Sequence, residues 1–201
     1  ESSTKIAKDL KVSSTTIINI LTKNNVKIRT TSEASRKYPL IATFFDIIDT
    51  QEKAYFLGYL FADGNNSGKK VSLNLSEKDK DMLERLNMLV HPKGKPLYIG
   101  RKKANKIKGG NKFITKKNYH LVIESKKVSE ALSGHGCVPR KTSILRFPYN
   151  SLDKSLWSHF IRGYFDGDGA ISIYGKRKIK NNGYISIVSS VGFCKSLQEI
   201  F

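Results

Sequence analysis

Acidic residues are scarce in this chain: 17 Asp and Glu stand against 36 Lys and Arg in 201 residues. The formal charge is therefore +19 and the isoelectric point about 9.9, a balance that calls for a polyanionic partner, with nucleic acid foremost. Cysteine is nearly missing too. Cys137 and Cys194 lie far apart and outside any C-x-x-C, which excludes a disulfide framework and a cysteine zinc site and reads as a reducing compartment. The histidines His91, His120, His135 and His159 show no ligand spacing and are read as ordinary surface or core residues. No apolar run approaches the roughly 18 residues of a membrane span. Signal peptide and lipidation motifs are missing as well. A membrane partner and secretion are thereby excluded, leaving a cytoplasmic setting, bacterial or phage, or an organellar one.

What is present is enough apolar material, 39% of residues, for real cores. Residues 3–22, STKIAKDLKVSSTTIINILT, form two short helical patterns around a break. Ile6, Leu10, Val12, Ile17 and Ile20 are spaced as the core of crossing helices, with Ala7 at their approach. This is a helix-turn-helix pattern, although Lys11 stands where the turn usually has glycine. Ser13 or Ser14 caps the second helix, leaving Ser14, Thr15, Thr16 and Asn19 to face a groove. Residues 1–28 are assigned to this module and residues 29–50 to a linker, on the polar and basic stretch KIRTTSEASRKYP at its start.

From Gln51 the order reads helix, strand 69–76, amphipathic helix 79–91, strands near 97–103 and 119–125, and a short helix 126–134, with a stub of strand in DGNNSG. Residues 142–154 connect to a second helix, 155–169. A hairpin follows, with its tight turn at Asn181-Asn182-Gly183, and then a helix from Phe193. The start at Glu1 and the stop at Phe201 within an amphipathic pattern suggest a fragment.

Two stretches carry the chemistry: FLGYLFADG, residues 56–64, and IRGYFDGDG, residues 161–169. Each is an apolar helix that ends on an acid, where the macrodipole disfavours negative charge by a few tenths to about 1 kcal/mol. A locally unfavourable feature that occurs twice points to function. Gly58 and Ala62, like Gly163 and Gly167, put two small residues on one helix face. Two such faces let helix backbones approach closely, which brings Asp63 and Asp168 together. Converging carboxylates repel unless a cation lies between them. Oxygen ligands select Mg²⁺, or Mn²⁺, which beside a phosphodiester stabilises the attacking and leaving oxygens of an in-line displacement.

These two stretches resemble the paired signature helices of the LAGLIDADG homing endonucleases. The second keeps both acids of the motif, Asp166 and Asp168. The first has Phe61 in place of the earlier acid, and only the later one carries metal in that family. The resemblance covers residues 51–201. It implies an α+β fold of two pseudo-symmetric helix-sheet repeats, with antiparallel sheets forming a saddle over DNA and the signature helices at the interface. Residues 51–141 are the first repeat, 142–154 the inter-repeat linker and 155–201 a second, incomplete repeat. The resemblance also implies a monomer that uses its two internal repeats, metal ligation by Asp63 and Asp168 aided by the carbonyls of Ala62 and Gly167, and a catalytic basic residue at Lys141. The counterpart of Lys141, with two strands and a helix, is expected beyond Phe201.

The strand patterns suit such a saddle. Val71, Leu73 and Leu75 alternate with Lys70, Ser72, Asn74 and Ser76; Ile171, Ile173 and Ile179 alternate with Ser172, Tyr174, Lys176, Lys178 and Lys180. One face is dry and the other is polar and basic, as reading bases and phosphates requires. Residues 93–117 hold ten Lys or Arg, among them Arg101 and Lys103, and no acid, which reads as a DNA-contacting hairpin. The expected activity is metal-dependent cleavage of both strands of a long double-stranded DNA site, in an intron or intein context. The rival is a non-cleaving relative, an intron maturase or transcription regulator. A generic RNA-binding module is a weaker alternative, because no aromatic-rich stacking signature is present.

Overall fold

The computed structural model describes residues 2–100, 104–106, 112–114, 117–174 and 182–201, which form a mixed α+β protein. Arg101, Lys103, Lys176, Lys178, Ile179 and Lys180 lie outside the described residues. The chain divides into two compact units, Glu1–Pro39 and Leu40–Phe201.

In the smaller unit, α1 (Ser3–Asp9) and α2 (Ser14–Lys23) begin at serine caps. Of the two candidate caps for α2, Ser13 serves: its Oγ accepts the Thr16 N–H at 3.0 Å. The turn needs a left-handed residue, and Lys11 supplies it at φ 53°, at a cost of roughly 1 kcal/mol that glycine would avoid. Its reward is the helix-ending bond from Val12 N–H to the Ala7 carbonyl, 3.0 Å. Ala7 and Ile17 are buried. Leu10, Val12 and Ile20, expected in the core, are exposed, because two short helices share only one narrow face. A short helix, α3 (Thr31–Ala34), follows behind a capping box between Thr30 and Glu33.

The larger unit begins inside the expected linker. Phe45 and Ile48 are buried and the Ile41 N–H donates to the Val90 carbonyl at 2.8 Å, so residues 40–50 are anchored to this unit. The order is then α4 (Gln51–Ala62), β1 (Asn65–Asn66), β2 (Val71–Ser76), α5 (Lys80–Val90), β3 (Tyr98–Ile99), β4 (Ala104–Lys106), β5 (Lys112–Ile114), β6 (Asn118–Ile123) and α6 (Lys126–Gly134). After a connection come α7 (Trp157–Asp168), β7 (Gly169–Tyr174), β8 (Asn182–Ile187) and α8 (Val191–Ile200).

Strands β1, β2, β6 and β3 form an antiparallel sheet in that order, with Leu73 opposite Leu121. Period-two alternation puts Val71, Leu73, Leu75, Tyr119, Leu121 and Ile123 on the buried face. They share one core with Leu83, Leu86 and Val90 of α5 and with Val128 and Leu132 of α6. Strands β4 and β5 pair as a separate hairpin.

The second half is built around α7. Phe147, Trp157, Phe160 and Phe193 pack edge-on or tilted at centroid distances of 5.2–6.3 Å, and Tyr164 stacks on Phe193 at 4.4 Å. Residues 142–154 join this core through buried Leu145, Phe147 and Leu152, and the Ser190 hydroxyl donates to the Leu145 carbonyl. They do not form a free linker.

Two expectations about the hairpin β7–β8 need correction. Tyr174 pairs with Asn182 and Ile173 with Gly183, so Asn182 and Gly183 belong to β8 rather than to a tight turn; Asn181 lies outside the described residues. The alternation holds, but the apolar face is not dry. Leu73 of β2 is 1% exposed, whereas Ile171, Ile173 and Ile185 are 65%, 74% and 71% exposed. Among the described residues, no counterpart of β6 and α6 covers them.

Candidate active site and nucleic-acid interface

Helix α4 is buried from Ala54 to Phe61, as a helix apolar on every side must be. Its partner is α7, and the approach is backbone to backbone. A Cβ on Gly58 would overlap the Phe160 carbonyl and stand 2.9 Å from Tyr164 N; a Cβ on Gly163 would overlap the Tyr55 carbonyl. Phe160 holds in the second motif the position of Tyr55 in the first, so the two contacts are related by a local twofold axis. Toward the C-terminal ends, a Cβ on Gly167 would meet the Ala62 methyl and lie 3.3 Å from Asp63 Oδ2. Asp63 caps α4 and Asp168 closes α7. The four small residues singled out for packing thus sit at the seam, and both aspartates sit at its end.

The flanks of the axis are unequal. On one side the Tyr55 hydroxyl donates to Asp166 Oδ2 at 2.7 Å. At the equivalent positions on the other side, Phe61 and Phe160 meet edge-on at 5.1 Å, both fully buried. A carboxylate at position 61 would be desolvated beside an aromatic ring with no donor, which accounts for the departure from the two-acid motif.

Electrostatics at the seam are strained. Asp63 retains an open side toward solvent, yet surrounding protein mass, then the Asp168 charge, push its pKa up, and Lys141 offsets part of this. Each aspartate has a tyrosine one turn earlier. Burial, then Asp63, raises the Tyr59 phenol; burial pushes Tyr164 up to about 12 while its bond to Ser189 Oγ, 2.9 Å, pulls the other way.

Lys141 arrives on a short 3₁₀ turn, Lys141–Ser143, preceded by Arg140 at φ 57°. It is 8% exposed, and its Nζ donates to the Ala62 carbonyl at 2.9 Å. Burial lowers its pKa, whereas Cys137, Asp168 and Asp63 favour its charge. Burial pushes the Cys137 thiol up to about 11 against the pull of Lys141, so it is protonated at neutral pH and is no nucleophile.

Asn66 holds this loop in place. Its Nδ2 donates to the carbonyls of Ser129 (3.0 Å) and Cys137 (2.8 Å) and to Ser133 Oγ (3.1 Å); its Oδ1 accepts from Gly68 N–H (3.0 Å) and the Ser129 hydroxyl. One buried amide therefore ties β1 to α6 and to the segment leading into Lys141. Nothing in the sequence marks Asn66, because its partners are up to 71 residues away.

Among the described residues no group of three or more His, Cys, Asp or Glu is assembled. A cation at the seam would draw on two carboxylates, backbone carbonyls and the oxygens of a bound phosphodiester. That oxygen-only donor set fits a hard divalent ion such as Mg²⁺, which characteristically takes one or two carboxylates plus substrate phosphates. The Ala62 carbonyl is engaged by Lys141; Gly167 lies beside Asp63.

The solvent face of the four-stranded sheet is polar and ordered by register. Asn65 stands opposite Ser72, Ser72 opposite Val122, Asn74 opposite His120, and His120 opposite Tyr98; Ser76 faces Asn118. Lys70 is exposed just before β2, and Lys95 Nζ donates to the Val122 carbonyl at 2.7 Å. His120, Tyr98, Asn65 and Asn118 thus join the expected Ser72 and Asn74; only strand pairing places them there. On β7, Ser172 stands opposite Tyr184 and Tyr174 opposite Asn182. In the smaller unit Ser14, Thr15 and Asn19 are exposed, while the Thr16 hydroxyl bonds Ser13 Oγ at 2.8 Å.

Among the described residues no helix is long and apolar enough to cross a membrane. No model of a known protein family matches the chain, and no curated protein sequence matches it.

Proposed function

We propose that the chain is a homing endonuclease of the LAGLIDADG type that hydrolyses both strands of a long double-stranded DNA site. The observation that carries this reading is the backbone contact of α4 and α7 at Gly58 and Gly163, which draws Asp63 and Asp168 to one place beside a buried lysine. A divalent cation held there, Mg²⁺ or Mn²⁺, would stabilise negative charge on the phosphodiester oxygens. Asp63 and Asp168 hold it, and the Gly167 carbonyl is placed to assist. The Lys141 ammonium adds positive charge on the same side, where charge develops during hydrolysis.

Recognition falls to the sheets. Ser72, Asn74, His120 and Tyr98 are spaced along one solvent face, and side chains of this kind hydrogen-bond base edges in a major groove. The basic segment 93–117, the lysines of 176–180 and the small unit contribute phosphate contacts, and the charge of +19 draws the duplex in. The two-repeat arrangement acts as a monomer. An intron or intein context, with short 3′ overhangs, belongs to the family resemblance.

The test is incubation with a plasmid library carrying candidate sites, in Mg²⁺ and in EDTA. Cutting or nicking in Mg²⁺ alone, abolished by Asp63→Asn without loss of DNA binding, supports the proposal. Binding without cutting in any divalent ion identifies a maturase-like or regulatory relative instead, and equal cutting by Asp63→Asn refutes the metal assignment.

A further inference from the structure

Among the described residues Lys141 is the one lysine buried from solvent, in a chain whose other described lysines lie at the surface. Its ammonium has three donors and makes one hydrogen bond, to the Ala62 carbonyl. It forms no direct ion pair with either aspartate, although both favour its charge. A charge is desolvated here with a neutral carbonyl as its hydrogen-bond partner and no carboxylate in contact, a costly arrangement unless the site needs a cation at that spot. The carbonyl it occupies belongs to the residue before Asp63, and a carbonyl oxygen is as good a ligand for a hard divalent ion as for an ammonium.

We infer that Lys141 is the resident counter-charge of the seam: it holds the Ala62 carbonyl while the aspartates are unliganded, and releases it when a divalent ion enters. This rests on the proposed function and assigns Lys141 a positioning role in addition to any contact with substrate. The fixed positive charge offsets part of the repulsion between Asp63 and Asp168 in the free protein. It also opposes a dication electrostatically, because like charges a few ångströms apart in a partly desolvated site repel strongly. Cation binding to the free protein is therefore weakened by the residue that prepares the site, and DNA phosphates, bringing their own negative charge, tip the exchange.

Mn²⁺ titration of the full chain, followed by electron paramagnetic resonance, separates the possibilities. Lys141→Met should bind Mn²⁺ about tenfold more tightly than the wild type, a factor set by loss of one nearby positive charge, while Asp63→Asn binds it at least tenfold more weakly. Equal or weaker binding by Lys141→Met, with Asp63→Asn impaired, overturns this inference alone. Equal binding by wild type and Asp63→Asn overturns the proposed centre and the inference with it. Should Lys141→Met fail to fold, the wild type decides: saturating Mg²⁺ should shift the Ala62 carbonyl ¹³C and the Lys141 ammonium ¹⁵N resonances together. Both remaining fixed at saturation refutes the exchange.

Discussion

Substituting Gly163 by alanine tests the helix seam by the sign of its effect. In an exposed helix interior, glycine to alanine stabilises by about 0.8–1 kcal/mol. At position 163 the new methyl would fall on the Tyr55 carbonyl, which belongs to the backbone of a buried helix and cannot swing aside. Overpacking of this kind costs about 1–3 kcal/mol, and a rigid obstacle puts it at the upper end. The net expectation is a loss of about 2 kcal/mol, or roughly 4–8 °C in melting temperature for a unit of this size. Gly134, at the end of α6, offers the control: its added Cβ meets nothing within 4 Å, so Gly134→Ala should be neutral or stabilising by up to about 0.5 kcal/mol. Urea and thermal unfolding followed by circular dichroism give both values. If Gly163→Ala is as stable as Gly134→Ala, α4 and α7 are not in backbone contact, and the convergence of the aspartates loses its cause.

Three further outcomes follow from the same geometry. Asp63 has a raised pKa in the fold, so ionising it costs stability: its favourable contribution is present below the unfolded value, near 3.9, and disappears as pH rises through the folded value. Asp63→Asn should therefore stabilise the metal-free protein slightly at pH 7, the effect being damped because the carboxylate has an open side, with the advantage shrinking toward pH 3; a destabilised variant at pH 7 contradicts this. Asn66→Ala strands the buried Ser129 hydroxyl and the Cys137 carbonyl and should cost about 3 kcal/mol in urea unfolding, at about 1–3 kcal/mol for each group left unpaired; a loss below about 1 kcal/mol removes Asn66 as the anchor of the Lys141 loop. Asn74→Ala should lower affinity for the specific DNA site by about 1–3 kcal/mol without changing the salt slope, whereas Lys70→Ala should weaken all duplexes alike and reduce the slope by about 1; the reverse pattern would move the interface off this face.

Much of this architecture is written in local pattern. Helix α4 is legible because eight consecutive residues are apolar or small, and β2 because Val71, Leu73 and Leu75 alternate cleanly; even the two-residue β1 is signalled within DGNNSG. The paired small residues announce the seam because close packing requires them there. Local signals misled where a longer-range contact decided. Asn-Asn-Gly is a strong turn signal, yet cross-strand pairing from Gly169–Ile187 onward carries Asn182 and Gly183 into β8. Residues 40–50 read as a linker only by grouping with the polar stretch before them; they are mostly apolar, and Phe45 and Ile48 fill the core. Leu10 and Ile20 have helical spacing without a second face to bury them. The roles of Asn66 and His120 depend on partners far along the chain, which neither spacing nor composition reports. Lys141 stands out in the sequence as a basic residue between the two acid-ended helices, but its contact with the Ala62 carbonyl, 79 residues away, has no local signal.

The most direct test of the central claim is Mn²⁺ affinity, measured for the wild type, Asp63→Asn, Asp168→Asn and the double variant. A cation shared across the seam requires that either single substitution weaken binding at least tenfold, and that the double variant lose little more than the worse single one. Two independent sites, each abolished by its own substitution and untouched by the other, would show that the two aspartates do not meet.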